Sequence, residues 1–134
     1  MAHHCLNCEA AEMVLETKDV TVSYKHLSAV VPPVTGWHCP HCGEIELTDE
    51  ASSRRHMDAL HGLAQRQRTE TRFFVKATRQ ELKLTQAAAA KIFGGGVNAF
   101  SEYERGVTQP PVATIKLLKV LDKNPDFLRE VVEA

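Results

Sequence analysis

The chain has 134 residues, 43% of them hydrophobic and 25% charged, with a formal net charge of −1. That length holds one domain or two small ones, and no apolar run approaches the roughly 20 residues of a membrane-spanning helix. Residues 1–9 lack the apolar core of a secretory leader, so the expected location is the cytoplasm. The charge is unevenly placed. Residues 1–50 carry two basic and eight acidic side chains, net −6, and residues 51–134 carry fourteen basic and nine acidic, net +5. Such an asymmetry implies different partners for the two halves, and a basic half is compatible with nucleic acid.

In chain order, the first feature is Cys5-Leu-Asn-Cys8, matched thirty residues on by Cys39-Pro-His-Cys42, with no other cysteine in the chain. Two such knuckles are the sequence form of a four-cysteine zinc site. Thiolates hold Zn²⁺ tetrahedrally at about 2.3 Å, and two intervening residues let one turn aim both sulfurs at one ion. Gly43 eases the second turn. Disulfides would require an oxidising compartment, and a redox Cys-x-x-Cys would need a βαβ frame that the pattern lacks. His3, His4, His38 and His41 stand beside the knuckles. Any of them can ligate a metal, but four thiolates already complete a shell, and the expectation is that the histidines surround it. A filled shell predicts one structural zinc per chain and no catalytic one.

Between the knuckles, residues 20–24 alternate apolar and polar as a half-buried strand does. Residues 13–15, 27–31 and 45–47 are weaker strands, with Pro32 and Pro33 ending the second of these. The expected result is a small antiparallel sheet clamped by zinc, the metal substituting for a core that about fifty residues cannot supply. Thr48 then caps a polar helix with Met57, Leu60 and Ala64 on one stripe, fading into a linker over residues 62–71. Arg54, Arg55, Arg66 and Arg68 read as a solvated face, with phosphate or an acidic protein as the competing use.

Residues 70–82 form the next predicted helix, with Phe73, Phe74, Ala77 and Leu82 toward a core. Thr85 caps a short alanine-rich helix over residues 86–93, which Gly94, Gly95 and Gly96 stop. A second short helix over residues 97–105 ends at Gly106, with Phe100 and Tyr103 as buried anchors. Helix, turn and helix in this order make a helix-turn-helix, whose second helix enters the DNA major groove. A phosphate-cradling glycine loop would need a following Lys-Ser/Thr or a G-x-G-x-x-G pattern, and Val97-Asn98-Ala99-Phe100 follows instead. Asn98 is the residue suited to reading adenine bidentately. Ser101 is placed for base or phosphate and Arg105 for phosphate, and Gln86 opens the first helix of the motif. Glu102 repels phosphate, although a carboxylate can accept from a cytosine amino group. After Pro110 and Pro111, residues 114–121 and 126–133 give two amphipathic helices. Their apolar surface serves an intrachain core or a dimer interface.

The chain resembles the MqsA (YgiT-type) antitoxins of bacterial type II toxin–antitoxin modules over nearly its full length. The resemblance rests on CLNC, CPHC, Leu84-Thr85-Gln86, IFGGGVNAFSEYERG from Ile92 to Gly106, and QPPVATIKLLKVLDKNP from Gln109 to Pro125. It implies a zinc-binding domain over residues 1–68 that neutralises a cognate mRNA-cleaving ribonuclease toxin. It also implies a helix-turn-helix domain of the XRE/Cro-like kind over residues 69–134, all-α with five helices. That domain would form the homodimer and bind a palindrome in the promoter of its own operon. Asn98 matches the family's base-reading asparagine. The family's second reader is an arginine one turn later, where this chain has Glu102. The whole is expected to be an α+β protein and a repressor rather than an enzyme. Two other readings are an interaction module or regulator without a toxin, and a zinc or redox enzyme. The second has no nucleophile–base pair or carboxylate dyad to support it.

Overall fold

The computed structural model describes residues 2–134; Met1, part of the stretch read above for a leader, lies outside them. An antiparallel sheet comes first and five α-helices follow, so the fold class is α+β as expected. Residues up to Gln65 form one compact unit and residues from Arg66 onward a second.

In the first unit β1 (Val14–Tyr24), β2 (Leu27–His38) and β3 (Ile45–Leu47) pair in that order. The alternation read at residues 20–24 is real: Val22 is buried, and it shares a core with Leu27, Val31 and Val34. Both long strands exceed their sequence signals. The polar stretch Glu16, Thr17, Lys18 stays in the ladder opposite Gly36, Thr35 and Val34, helped by a 2.7 Å hydrogen bond between the Thr17 and Thr35 hydroxyls. Pro32 and Pro33 do not end β2, contrary to expectation. They fall where the register shifts, between the Val31–Val20 and Val34–Lys18 pairs, so their missing N–H groups break no ladder bond. The Pro33 carbonyl is satisfied by Arg55, which donates to it at 2.8 Å.

Helix α1 (Glu50–Glu81) is one 32-residue element, not a helix fading into a linker before a second helix. Gly62 alone cannot stop it, since a single glycine costs only about 1 kcal/mol against alanine. Leu63, buried beside it, packs with Ala59 and Leu60 against the sheet. Further on, Gln67 and Thr71 bridge successive turns at 2.9 Å. The buried stripe is therefore Ala59, Leu60 and Leu63, and Met57 faces solvent. The cap is also one residue later than expected. The Asp49 carboxylate accepts from the Ser52 N–H at 2.7 Å and from its hydroxyl at 2.8 Å, while Thr48 donates to the Thr35 carbonyl. These bonds hold the Asp49 carboxyl below its ordinary pKa, the Ser52 amide first among the causes.

The second unit contains α2 (Gln86–Phe93), α3 (Ala99–Arg105), α4 (Val112–Lys123) and α5 (Leu128–Glu133), with a 3-10 turn at Pro125–Phe127 before the last. Its core joins Val75 of α1 to Ala89, Ala90, Ala99, Phe100, Tyr103 and Leu118. The alanines bring α2 close to α3, which is the use their small size predicts. Phe73 is 67% exposed and Ala77 is exposed too, so the core face of α1 here is Phe74 and Val75 with the buried Thr78, and Leu82 is buried just beyond the helix end.

Gly36 lies between both neighbours of the sheet, opposite Glu16 and Leu47. A β-carbon there would sit 2.4 Å from the Glu46 carbonyl oxygen. Backbone cannot yield as a side chain can. Gly36→Ala should therefore destabilise the first unit by about 1–3 kcal/mol, as overpacking does. The expected readout is a lower urea midpoint, and an unchanged midpoint would contradict the close approach.

Candidate metal centre and nucleic-acid interface

The two knuckles are built alike. In the first, the Glu9 N–H donates to the Cys5 carbonyl at 3.1 Å; in the second, the Gly43 N–H donates to the Cys39 carbonyl at 3.1 Å. Each donor residue has a left-handed backbone, with φ of 57° at Glu9 and 80° at Gly43. These tight turns aim both cysteines of a pair the same way. The β1–β2 pairing brings Val14 opposite His38, and so sets the two knuckles side by side. Cys5 Sγ then lies 3.7 Å from Cys42 Sγ, and Cys8 Sγ lies 3.7 Å from Cys39 Sγ. All four sulfurs fall within 4.8 Å of one another. A tetrahedron of sulfurs about 2.3 Å from a central zinc has edges of about 3.8 Å. The spacing fits a tetrahedral thiolate metal, and 3.7 Å is far longer than the about 2.05 Å of a disulfide.

Four thiolates this close repel one another, and a divalent cation is what allows all of them to ionise. The surroundings already favour part of that charge. The Cys42 backbone amide leads in pulling the Cys39 thiol down to about 6, helped by the His41 amide. The Asn7 side chain, donating to Cys42 Sγ at 3.5 Å, lowers that thiol too. The Ala10 amide favours the Cys8 thiolate, but burial and the neighbouring Cys39, Cys42 and Cys5 thiols outweigh it and push Cys8 up to about 11. Donors aimed at sulfur and mutual repulsion among sulfurs together form a cation site. Asn7 was not singled out in the sequence, since nothing marks it except its place inside the first knuckle.

No histidine belongs to the sulfur cluster among the described residues. His3 stacks on Trp37 at 4.3 Å between ring centroids and meets Glu46 at 2.6 Å. His4 bonds the Glu9 carbonyl. His38 is 3% exposed, and its Nε2 finds no partner among the described residues.

The helix-turn-helix is formed by α2 and α3. The Thr85 hydroxyl accepts from the Ala88 N–H at 3.0 Å, which caps α2 as the sequence predicts. Gly95, with φ of 95°, shows why glycine is needed in the turn. A β-carbon would meet the Tyr103 hydroxyl at 2.9 Å and the Ala99 β-carbon at 3.0 Å, so the turn packs directly on α3. Phe100 is fully buried, with ring centroids 5.6 Å from Phe93 and 5.4 Å from Tyr103. α3 begins at Ala99, two residues later than the sequence indicates.

The outward residues of this motif are Gln86 at the start of α2, then Val97 and Asn98 in the turn and Arg105 at the end of α3, all exposed, with Ser101 and Glu102 partly so. Asn98 occupies the cap position of α3 but makes no side-chain cap bond, so its amide is not engaged by the helix. Arg105 donates to the Ser101 hydroxyl at 3.2 Å. Sequence reading missed the device that holds α3 in place. Glu104 receives two bonds from Arg79 of α1, at 2.8 and 2.9 Å, with the side chains only 5% and 12% exposed. Arg79 also donates to the Leu84 carbonyl, and Arg72 to the Glu104 carbonyl. Glu104 makes Arg79 harder still to deprotonate. The two residues lie 25 apart in sequence, and no local pattern links them.

Residues 3–132 match the family described as the antitoxin component of bacterial toxin–antitoxin system, MqsA. The chain is 40% identical over 129 residues to Antitoxin MqsA of Escherichia coli (strain K12), covering 95% of this chain and 98% of that protein. The chain belongs to the MqsA antitoxin family. The match runs through both the sulfur cluster and the helix-turn-helix, so the whole chain and not one module is shared.

The Arg79–Glu104 pair is the point at which α3 can be loosened without touching its outward face. Glu104→Ala would leave a nearly buried guanidinium unpaired, a loss of about 3 kcal/mol. A correspondingly lower thermal midpoint is expected. Replacing both residues with apolar ones of similar size should recover most of it. A single variant as stable as the parent would show that the pair does not anchor α3.

Proposed function

We propose that the chain is an antitoxin with two jobs. It binds and neutralises a cognate mRNA-cleaving ribonuclease toxin, and as a homodimer it represses transcription by binding a palindrome in its own promoter. The observation that carries this reading is the family match across both units, 3–132. The proposed division assigns neutralisation to residues 1–68 and DNA binding with dimerisation to residues 69–134. It is non-enzymatic work: no covalent chemistry is needed, only binding.

Cys5, Cys8, Cys39 and Cys42 would hold one Zn²⁺, which supplies a fixed tetrahedral cross-link between the knuckles. On the DNA side, Asn98 reads an adenine through its amide, while Gln86, Ser101 and Arg105 reach bases or phosphates. Dimerisation sets two α3 helices about 34 Å apart, one turn of the duplex. Exposed Val120, Phe127 and Val132 around α4 and α5 support a second copy docking there.

Two measurements test this. The purified chain should contain close to one zinc per copy, and Cys39→Ser together with Cys42→Ser should lose it with the fold of the first unit. A fragment of its own promoter should shift in a salt-sensitive, palindrome-dependent way, and Asn98→Ala should weaken that by about 1–3 kcal/mol while leaving binding to unrelated DNA intact. Co-purification with the neighbouring gene's product but no shift would leave the toxin half and remove the repressor half.

A further inference from the structure

α3 carries two acids, and only one has a use in the fold. Glu104 is buried and held by Arg79 through two hydrogen bonds. Glu102 is partly exposed on the outward side, and its carboxylate has no hydrogen bond or ion pair among the described residues. Its backbone N–H donates to the Asn98 carbonyl at 3.0 Å, so the two residues are consecutive turns of one face. Arg105, three residues further along, is turned to the Ser101 hydroxyl.

A carboxylate on a face that meets DNA is repelled by every phosphate, so mere solvation is a poor reason for it. Base edges give it one good partner. Guanine N7 and O6 and thymine O4 are acceptors and repel it. Adenine offers N6–H but sets the N7 acceptor beside it, which suits an amide and not a carboxylate. Cytosine offers the N4 amino group with no acceptor next to it on the same base. We propose that Glu102 is a specificity-determining residue that accepts from a cytosine amino group in each half-site. The inference rests on the DNA-binding reading above. Four residues of helix rise about 6 Å, and base pairs are stacked about 3.4 Å apart. The cytosine therefore lies within about two base pairs of the adenine read by Asn98.

The experiment is a set of gel-shift titrations on the chain's own promoter fragment, with every base pair of one half-site substituted in turn. It compares the full-length wild type with Glu102→Ala and the isosteric Glu102→Gln. The wild type should lose about fivefold or more in affinity when one particular cytosine is replaced. Glu102→Ala should flatten that position to within about twofold while binding all DNA more tightly, because a repulsive charge has gone. Glu102→Gln should move the preference at the same position from cytosine to adenine. If both variants keep the wild-type profile of ratios, whatever their overall affinity, Glu102 reads no base and the proposal is overturned. If the wild type gives no salt-sensitive shift on any fragment, the DNA-binding reading fails and takes this one with it. The first failure is seen in ratios between sequences and the second in the absence of binding.

Discussion

Four sulfur atoms within 4.8 Å of one another are the constraint on which the first unit depends. A sheet of three strands with one helix across it buries few large side chains: Val22, Leu27, Val31, Val34 and Leu63 make up the fully buried part of its main core. A unit of about sixty residues removes too little surface from water to be secure on that basis. The knuckles add a second small cluster, in which Cys5 and Cys39 are themselves buried beside Met13 and Trp37. Cysteine here is apolar filling that also offers a ligand atom. The same side chains close the core and, as thiolates, demand a cation at its centre. Their arrangement does not stand apart from the sheet either. The register that puts Val14 opposite His38 brings one knuckle to the other, and Gly36 lets β3 cross close enough to place Glu46 against His3.

Among the described residues the second unit has no such sulfur cluster, and it is organised by close packing and one largely buried ion pair. Small residues do most of it. Ala89, Ala90 and Ala99 are buried, and Gly95 allows the turn to touch Tyr103. Because the backbones approach closely, the outward side of α3 is fixed by what lies beneath it. Phe100 and Tyr103 point in, so Asn98 and Glu102 share the opposite side. The Arg79–Glu104 pair adds a directional hold that apolar contacts lack, since a bidentate guanidinium–carboxylate pair fixes angle as well as distance.

Legibility in the sequence followed the range of the interactions. The cysteine knuckles, the Thr85 cap, the glycine stop and the aromatic anchors of α3 are local features, and each was readable from a few adjacent residues. The resemblance to the MqsA antitoxins was readable for the same reason, in contiguous strings. What failed depended on distant partners. Pro32 and Pro33 look like an end to a strand until they are seen to form a bulge, two residues opposite the single Asp19. Residues 62–71 look like a linker because their polarity was weighed without the packing of Leu63. Phe73 looks like core because aromatic residues usually are, yet Val75 and Phe74 occupy that side of α1. Thr48 lost the cap to Asp49 because Thr35, thirteen residues back, already engages it. The Arg79–Glu104 pair had no signal at all.

The two acids of α3 show how one residue type serves opposite ends on one short helix. Glu104 is nearly removed from water, where an unpaired carboxylate would be strongly unfavourable, and it is tolerable only because Arg79 meets both oxygens. Its charge is thereby balanced within the fold. Glu102 is partly exposed on the outward face, where solvent and salt screen a charge within about 8 Å at physiological ionic strength. An isolated negative charge there lowers affinity for every duplex, and the loss grows as salt falls and phosphate repulsion lengthens its reach. Specificity is a difference between affinities, so a carboxylate that suits one base edge better than the other three raises discrimination while lowering binding overall. In the DNA-binding reading proposed above, that exchange places the weight of sequence choice on base contacts rather than on phosphates.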